Sequence, residues 1–268
     1  MSFRMGPALL FCPADRTDRF DKAAERADAV ILDLEDAVDA AHKDAARAAL
    51  IEHPLDPART IVRVNAHDSP ERAADLEALR QTEYRTVMVA KATAPRDFEG
   101  LDGFELVALC ETAGGVVGAP AIAAHPSVVA LMWGAEDLMA SLGGTSSRLP
   151  DGRYRQVARH ARSAVLLAAG AYGKAAIDAI HVDIDDFDGL RAEASDAAAS
   201  GFAATACIHP GQVATIRDAY RPSDEDLEFA RAVLAAATDE SGVFAFRGRM
   251  VDEPVLRHAA ELVRRAGD

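Results

Sequence analysis

Residues 29–38 read AVILDLEDAV. Ala29 to Leu32 make a short apolar run that stops at three carboxylates, Asp33, Glu35 and Asp36. Burying an unpaired charge is costly, so a buried strand ending this way must deliver its acids to a polar space shared with other groups. Seven more runs have the same form: ALLFCPAD (8–15), TIVRVNA (60–66), TVMVAK (86–91), ELVALCET (105–112), VALMWGAED (129–137), AIDAIHVD (176–183) and ATACIHP (204–210). Each is strand length and mostly non-alternating, as expected for strands covered on both faces of a parallel sheet.

Between the runs lie stretches rich in Ala, Glu, Lys and Arg, which have high helix propensity. They are RFDKAAERA (19–27), HKDAARAALIE (42–52), ERAADLEALR (71–80), RQVARHARSAVLLAAGAYG (155–173) and GLRAEASDAAASG (189–201), the last with Gly201 placed as a C-cap. Strand and helix alternate throughout, the α/β signature. Eight such units predict a (β/α)8 TIM barrel over residues 1–222, with a C-terminal helical and lid extension over 223–268. The fifth unit is the weakest, because GGVVGAPAIAAHP (114–126) reads as short for a helix. An open doubly wound sheet would need a dinucleotide fingerprint, and Gly114, Gly115 and Gly118 have the wrong spacing for one.

Composition narrows the function. The formal charge of −14 argues against a basic nucleic-acid-binding face. No apolar run reaches the ~18 residues of a membrane span, and the N-terminus lacks a secretory pattern, so a cytoplasmic protein with no membrane partner is expected. Cys12, Cys110 and Cys207 sit in apolar runs and read as buried, reduced thiols. His209 reads as a packed or hydrogen-bonded side chain, since no His or Cys lies at metal-ligand spacing from it.

In a parallel barrel all strand C-termini open on one face, where active sites form. Here those ends carry Asp15; Asp33, Glu35 and Asp36; Arg63 and Asn65; Lys91; Glu111; Glu136 and Asp137; Asp183; and His209. Each has an ordinary reading as well. A single acid can cap a helix, Arg63 can serve a structural ion pair, Lys91 can be a surface lysine, and Trp133 reads as core. The coincidence across eight ends is what points to a site. Oxygen ligands exceed cations, which suits a hard divalent ion such as Mg2+, held by one or two carboxylates with water and substrate completing the shell.

The motifs LLFCPADRTDRFDKA, AVILDLEDAV, VRVN, ALCETAGGV, WGAEDL, IHPGQV and FRGRMVDEPV, in this order from about residue 8 to about 260, resemble the citrate lyase β-subunit-like group. That group belongs to the HpcH/HpaI aldolase superfamily, with the malyl-CoA and citramalyl-CoA lyases. The resemblance implies a Mg2+-dependent carbon–carbon lyase on a TIM barrel, commonly a homotrimer, acting on carboxylated 3-hydroxyacyl-CoA thioesters and yielding an acyl-CoA and a small oxo acid. By motif it implies Glu111 and Asp137 as metal ligands, Arg63 as the grip on the oxo acid, and Arg16 and Lys22 as CoA-phosphate contacts. Lys91 joins the substrate-binding set. Glu35 and Asp36 become outer acids that order water, and Asp252 an acid/base reaching in from a neighbouring subunit. Phe244, Phe246, Met250 and Val251 would then be buried by a lid packed on that neighbour. Two positions depart from the pattern: Ala90 stands where members often have Pro before Lys91, and Thr205 where many have Lys. A citrate lyase subunit acting on an acyl-carrier protein, and a non-catalytic binding barrel, are the alternatives.

Overall fold

The structure is a computed structural model that describes residues 3, 5–238 and 242–267. The chain divides into two compact units, residues 1–216 and 217–268.

The first unit is a closed barrel of eight parallel strands in sequential order. The strands are β1 (Ala8–Pro13), β2 (Ala29–Asp33), β3 (Thr60–Val64), β4 (Thr86–Val89), β5 (Glu105–Cys110), β6 (Val128–Trp133), β7 (Ala175–Asp178) and β8 (Ala204–Cys207). Pairing of Leu9 with Ala29 on one side and Ala206 on the other closes the ring. The helices that intervene are α1 (Phe20–Arg26), α2 (Lys43–Glu52), α3 (Arg72–Arg80), α4 (Ala113–Ala123), α5 (Ala135–Ser141), α6 (Gln156–Ala171) and α7 (Phe187–Ser200), followed by α8 (Gln212–Tyr220). Gly201 ends α7 in the left-handed conformation, φ 103°, as its C-cap reading expects. No helix among the described residues is long and apolar enough to cross a membrane.

Two expectations are corrected. Residues 114–123 do form a helix, as part of the 11-residue α4 (Ala113–Ala123). Its glycines reflect close packing rather than a broken helix: a Cβ at Gly115 would lie 2.5 Å from the Ala92 carbonyl oxygen, and one at Gly118 would collide with the Thr93 carbonyl. Thr112 caps the helix, its Oγ1 accepting the Gly115 N–H at 3.0 Å. Asp183 is not a strand end. β7 stops at Asp178, and Asp183 lies exposed in the loop beyond it. Asp178 is instead buried outside the barrel wall, where it accepts from Trp133 Nε1 at 2.6 Å and Arg162 Nη2 at 2.8 Å. Trp133 is thus core, and this pair ties α6 to β6 and β7. Thr205 is buried in the wall of β8.

Because side chains alternate along a strand, one set faces the barrel axis. Leu9, Ile31, Ile61, Met88, Val107, Leu109, Met132 and Ile177 fill that interior. The next inward step along β2, β3 and β5 brings Asp33, Arg63 and Glu111 to the C-terminal mouth.

The second unit contains α9 (Asp224–Ala236), the antiparallel hairpin β9 (Phe244–Phe246) and β10 (Arg249–Val251), and α10 (Glu253–Arg265). The hairpin turns through Arg247 and Gly248, both at positive φ (47° and 77°), the two-residue turn that matches strand twist. Val251 is buried with Ala230, Val233 and Ala259, and Phe244 and Phe246 pack against that cluster. Val251, Phe244 and Phe246 therefore have partners within their own unit, where the sequence reading found no place for them in the barrel. Met250 is 67 % exposed.

Candidate active site

At the barrel mouth Arg63 is held by a two-pronged ion pair. Its Nε donates to Asp33 Oδ1 at 2.7 Å and its Nη2 to Asp33 Oδ2 at 2.5 Å, while Nη1 lies 3.1 Å from Glu35 Oε2. Asp33 and Arg63 are directly paired across β2 and β3, so the barrel register itself sets this fork. Its face lies over the Phe11 ring, 4.9 Å from the centroid. Asp33 also accepts the N–H groups of Glu35 at 2.8 Å and Ala37 at 3.1 Å. One buried carboxylate therefore shapes the loop after β2 and orients the guanidinium.

Lys91 joins the acids from the other side. Its Nζ is paired with Glu35 and donates to Asp36 Oδ2 at 3.0 Å, and it lies 4.0 Å from Asp137 Oδ1. Its backbone is left-handed, φ 52°, uncommon for a residue with a side chain. Its N–H meets Glu111 Oε1 at 3.0 Å. Strain of this kind persists where the surroundings over-determine it.

Glu111 is buried, and burial pushes its carboxyl up to about 8; Arg63 opposes the shift, and the charges of Asp137 and Glu35 add to it. Burial likewise raises Glu35 despite Arg63 and Lys91. Burial acts upward on Asp36 too, but Lys91 outweighs it and holds that carboxyl low. Arg63 is raised above its ordinary value: burial works against the cation and Asp33 more than offsets it.

Among the described residues, Asp33, Glu35, Asp36, Glu111 and Asp137 thus have Arg63 and Lys91 as their paired cations. A divalent cation at Glu111 and Asp137 fits this imbalance, since it would reverse the penalty on the buried Glu111 anion. The donors are all oxygen, as Mg2+ requires. Among the described residues no three His, Cys, Asp or Glu side chains form a metal cage. Two carboxylates with open positions for water and substrate is the pattern Mg2+ commonly takes. The thiols are no rivals: burial raises Cys110 to about 12 and Cys12 to about 11.

Gly134 makes room for Glu111. A Cβ there would stand 2.8 Å from Glu111 Cβ and 3.0 Å from Oε2. Gly134→Ala is expected to displace the carboxylate and weaken Mn2+ binding about tenfold, at an overpacking cost of ~1–3 kcal/mol in stability. Mn2+ titration followed by electron paramagnetic resonance, with thermal unfolding in parallel, checks this; unchanged affinity would separate Glu111 from the metal.

Of the residues expected from sequence, Arg63, Glu35, Asp36, Lys91, Glu111 and Asp137 come together here. Arg16 lies on the loop after β1 and pairs with Asp18, Nε to Oδ1 at 3.0 Å. Lys22 is on the exposed side of α1. Asp252, in the second unit, caps α10, its Oδ1 accepting the Val255 N–H at 3.3 Å. Glu136 is exposed and accepts from Ser147 Oγ at 2.6 Å. His209 is exposed, its Nδ1 taking the Gly211 N–H at 3.2 Å. Sequence reasoning placed Asp33 among the strand ends but gave it no role; its two-residue step from Ile31 was the available signal.

Known proteins share this arrangement of chain. The sequence pattern of the HpcH/HpaI aldolase/citrate lyase family matches residues 8–210. The citrate lyase subunit beta-like protein of Mycobacterium tuberculosis is 58 % identical over 263 residues, covering 98 % of this chain and 96 % of that protein. Human mitochondrial citramalyl-CoA lyase is 29 % identical over 290 residues, covering 96 % and 84 % respectively. The crystal structure of CitE from M. tuberculosis in complex with magnesium, acetoacetate and coenzyme A superimposes with a TM-score of 0.93 at 57 % identity, covering 98 % of this chain and 99 % of that one. With the closed barrel, these matches establish that the chain belongs to the HpcH/HpaI aldolase/citrate lyase family.

Proposed function

We propose that the protein is a Mg2+-dependent carbon–carbon lyase of carboxylated 3-hydroxyacyl-CoA thioesters of the citramalyl, malyl, citryl or 3-hydroxy-3-methylglutaryl type. It releases an acyl-CoA such as acetyl-CoA and an oxo acid such as pyruvate, glyoxylate, oxaloacetate or acetoacetate. The observation that carries this reading is the Arg63 fork, fixed by Asp33 at the mouth of the barrel beside the buried Glu111. A relative with magnesium, acetoacetate and coenzyme A bound adds support.

Glu111 and Asp137 would hold the metal, which when bound supplies a Lewis acid for the oxygen atoms at the bond being broken. Arg63 gives two of its five N–H donors to Asp33, and its Nη1 pairs with Glu35 at 3.1 Å, so donors remain for a substrate oxygen. As charge builds on the nascent oxo acid, this fixed cation stabilises it without reorganising. Glu35 and Asp36 hold Lys91 in place and would order water at the mouth, and Lys91 would balance the substrate carboxylate. Arg16 and Lys22 are cations suited to the CoA phosphates. In cleavage a base at the mouth takes the hydroxyl proton, the O–H electron pair forms the carbonyl of the oxo acid, the carbon–carbon bond breaks, and its electron pair passes to the thioester fragment as an enolate. Asp252 would protonate that carbon, and in the condensation direction remove the same proton. We further place the protein in the cytoplasm as a homotrimer, in which Asp252 serves a neighbouring subunit.

The test is incubation of purified protein with the four thioesters and Mg2+, following oxo-acid release. At least one should be cleaved. Excess chelator should abolish the activity, and Mg2+ or Mn2+ should restore it. No release from any of the four, or full activity in chelator with no metal by elemental analysis, would remove this reading.

A further inference from the structure

Lys43 is in the wrong place for a lysine by local rules. It opens α2, where a cation opposes the helix dipole, and it is only 8 % exposed. A position that breaks local preference and is kept buried needs a reason from elsewhere in the fold. The contacts supply one. The ammonium donates to the Leu34 carbonyl at 2.6 Å, the Glu35 carbonyl at 2.7 Å and Asn65 Oδ1 at 3.3 Å. These acceptors use all three of its N–H bonds. The nitrogen is therefore saturated and fixed, unsuited to act as a base or nucleophile.

Both carbonyls belong to the loop that presents Glu35. The third acceptor, Asn65, is tied to the same place: its Nδ2 donates to the Leu34 carbonyl at 2.9 Å and to Asp75 Oδ2 at 2.7 Å, and its own N–H meets Asp75 Oδ2 at 2.9 Å. Asp75 is fully buried and fixed in turn by Arg47 Nε at 2.8 Å. Two consecutive carbonyls are thus held from behind while the Glu35 side chain faces Arg63 and Lys91 in front.

We propose that Lys43 is a positioning residue for the reaction, acting through the main chain of Leu34 and Glu35 to fix the Glu35 carboxylate, which pairs with both Arg63 and Lys91. The inference rests on the lyase reading above. A misplacement of about 1 Å at a reacting group costs about 100-fold in rate, and loss of Lys43 removes three hydrogen bonds that hold the loop and Asn65 in place.

The test compares Lys43→Met with Arg59→Met. Arg59 also binds backbone oxygens, donating to Ala24, Ala27 and Asp28 at 3.1, 2.5 and 2.9 Å, but where β3 starts, at the opposite end of the barrel. Both changes cost stability, and thermal unfolding measures how much. Lys43→Met is expected to lose about 100-fold in kcat, with KM for the thioester changed less than about threefold; Arg59→Met should keep kcat. Amide hydrogen exchange gives a readout free of any substrate. In Lys43→Met the N–H groups of residues 34–37 should exchange at least about tenfold faster relative to the strands, whereas Arg59→Met should leave them protected. Should Lys43→Met not fold, Lys43→Gln, with two N–H donors on a shorter stem, takes its place with the same expected signs. A kcat equal to that of Arg59→Met, or unchanged exchange at residues 34–37, overturns the proposal. If the wild type cleaves none of the thioesters, the lyase reading fails, and the exchange data alone decide whether Lys43 holds this loop.

Discussion

Glu111→Ala is expected to lower kcat/KM at least about 1,000-fold, some 4 kcal/mol of transition-state stabilisation, with loss of Mn2+ binding. The side chain is buried at the mouth, its Oε1 fixed by the Lys91 N–H at 3.0 Å, and a bound divalent cation would offset the cost of burying its charge. Asp252→Asn should be comparably inactive, for the other half of the chemistry. Asn is chosen because it keeps the N-cap of α10, whereas Ala would add a stability cost of ~1 kcal/mol. If Asp252 serves a neighbouring subunit, the two inactive proteins, dissociated together and reassembled, should regain activity. Some sites would then combine an intact Glu111 with an intact Asp252. Mixed oligomers verified by mass that stay inactive, alongside active wild-type controls, would confine Asp252 to its own chain or remove it from catalysis.

Arg63→Lys is expected to lose about 100-fold in kcat/KM, about 2.7 kcal/mol. The substitution keeps the charge but not the planar fork. The fork does two jobs: Nε and Nη2 lock onto Asp33, and that lock aims the remaining N–H bonds. An ammonium cannot take both Asp33 oxygens and hold a fixed plane over Phe11. Metal affinity in the absence of substrate should be nearly unchanged, because Arg63 is not a ligand. A normal rate in the Lys variant, measured on the best of the four thioesters, would reduce Arg63 to a structural partner of Asp33.

The barrel was legible because its signal is repeated. Eight apolar runs with helices between them leave few other topologies, and the structure has that order. Strand ends were less legible. The run AIDAIHVD continues with three apolar residues past β7: Ala179 is buried, Ile180 packs against the barrel interior from the loop, and Val182 lies exposed. Nothing local marks where the ladder stops. Helix α4 was underrated because glycine has low intrinsic propensity; the close approach of Gly115 and Gly118 to the turn after β4 is a tertiary fact. The site residues could be named from charge at strand ends and from family resemblance. Their pairing could not, since Asp33 meets Arg63 only through the β2–β3 register, and Lys43 reaches Leu34 only through the return of α2. Phe244 and Phe246 looked unpartnered because their partners, Phe229 on α9 and the apolar face of α10, are distant in sequence from them or follow after.

The inward alternation that brings Asp33, Arg63 and Glu111 to the mouth also makes chain length more critical than side-chain identity. Removing one residue within β3 would shift its pleat by one and turn the guanidinium toward the surrounding helices, with Val62 or Val64 facing the axis in its place. Swaps among the apolar residues below, such as Ile61 or Leu109, leave that geometry in step. Descendants of this protein are therefore free to vary the filling of the barrel and the lengths of the loops above it, while the number of residues from each strand's start to its mouth is closed to insertion and deletion.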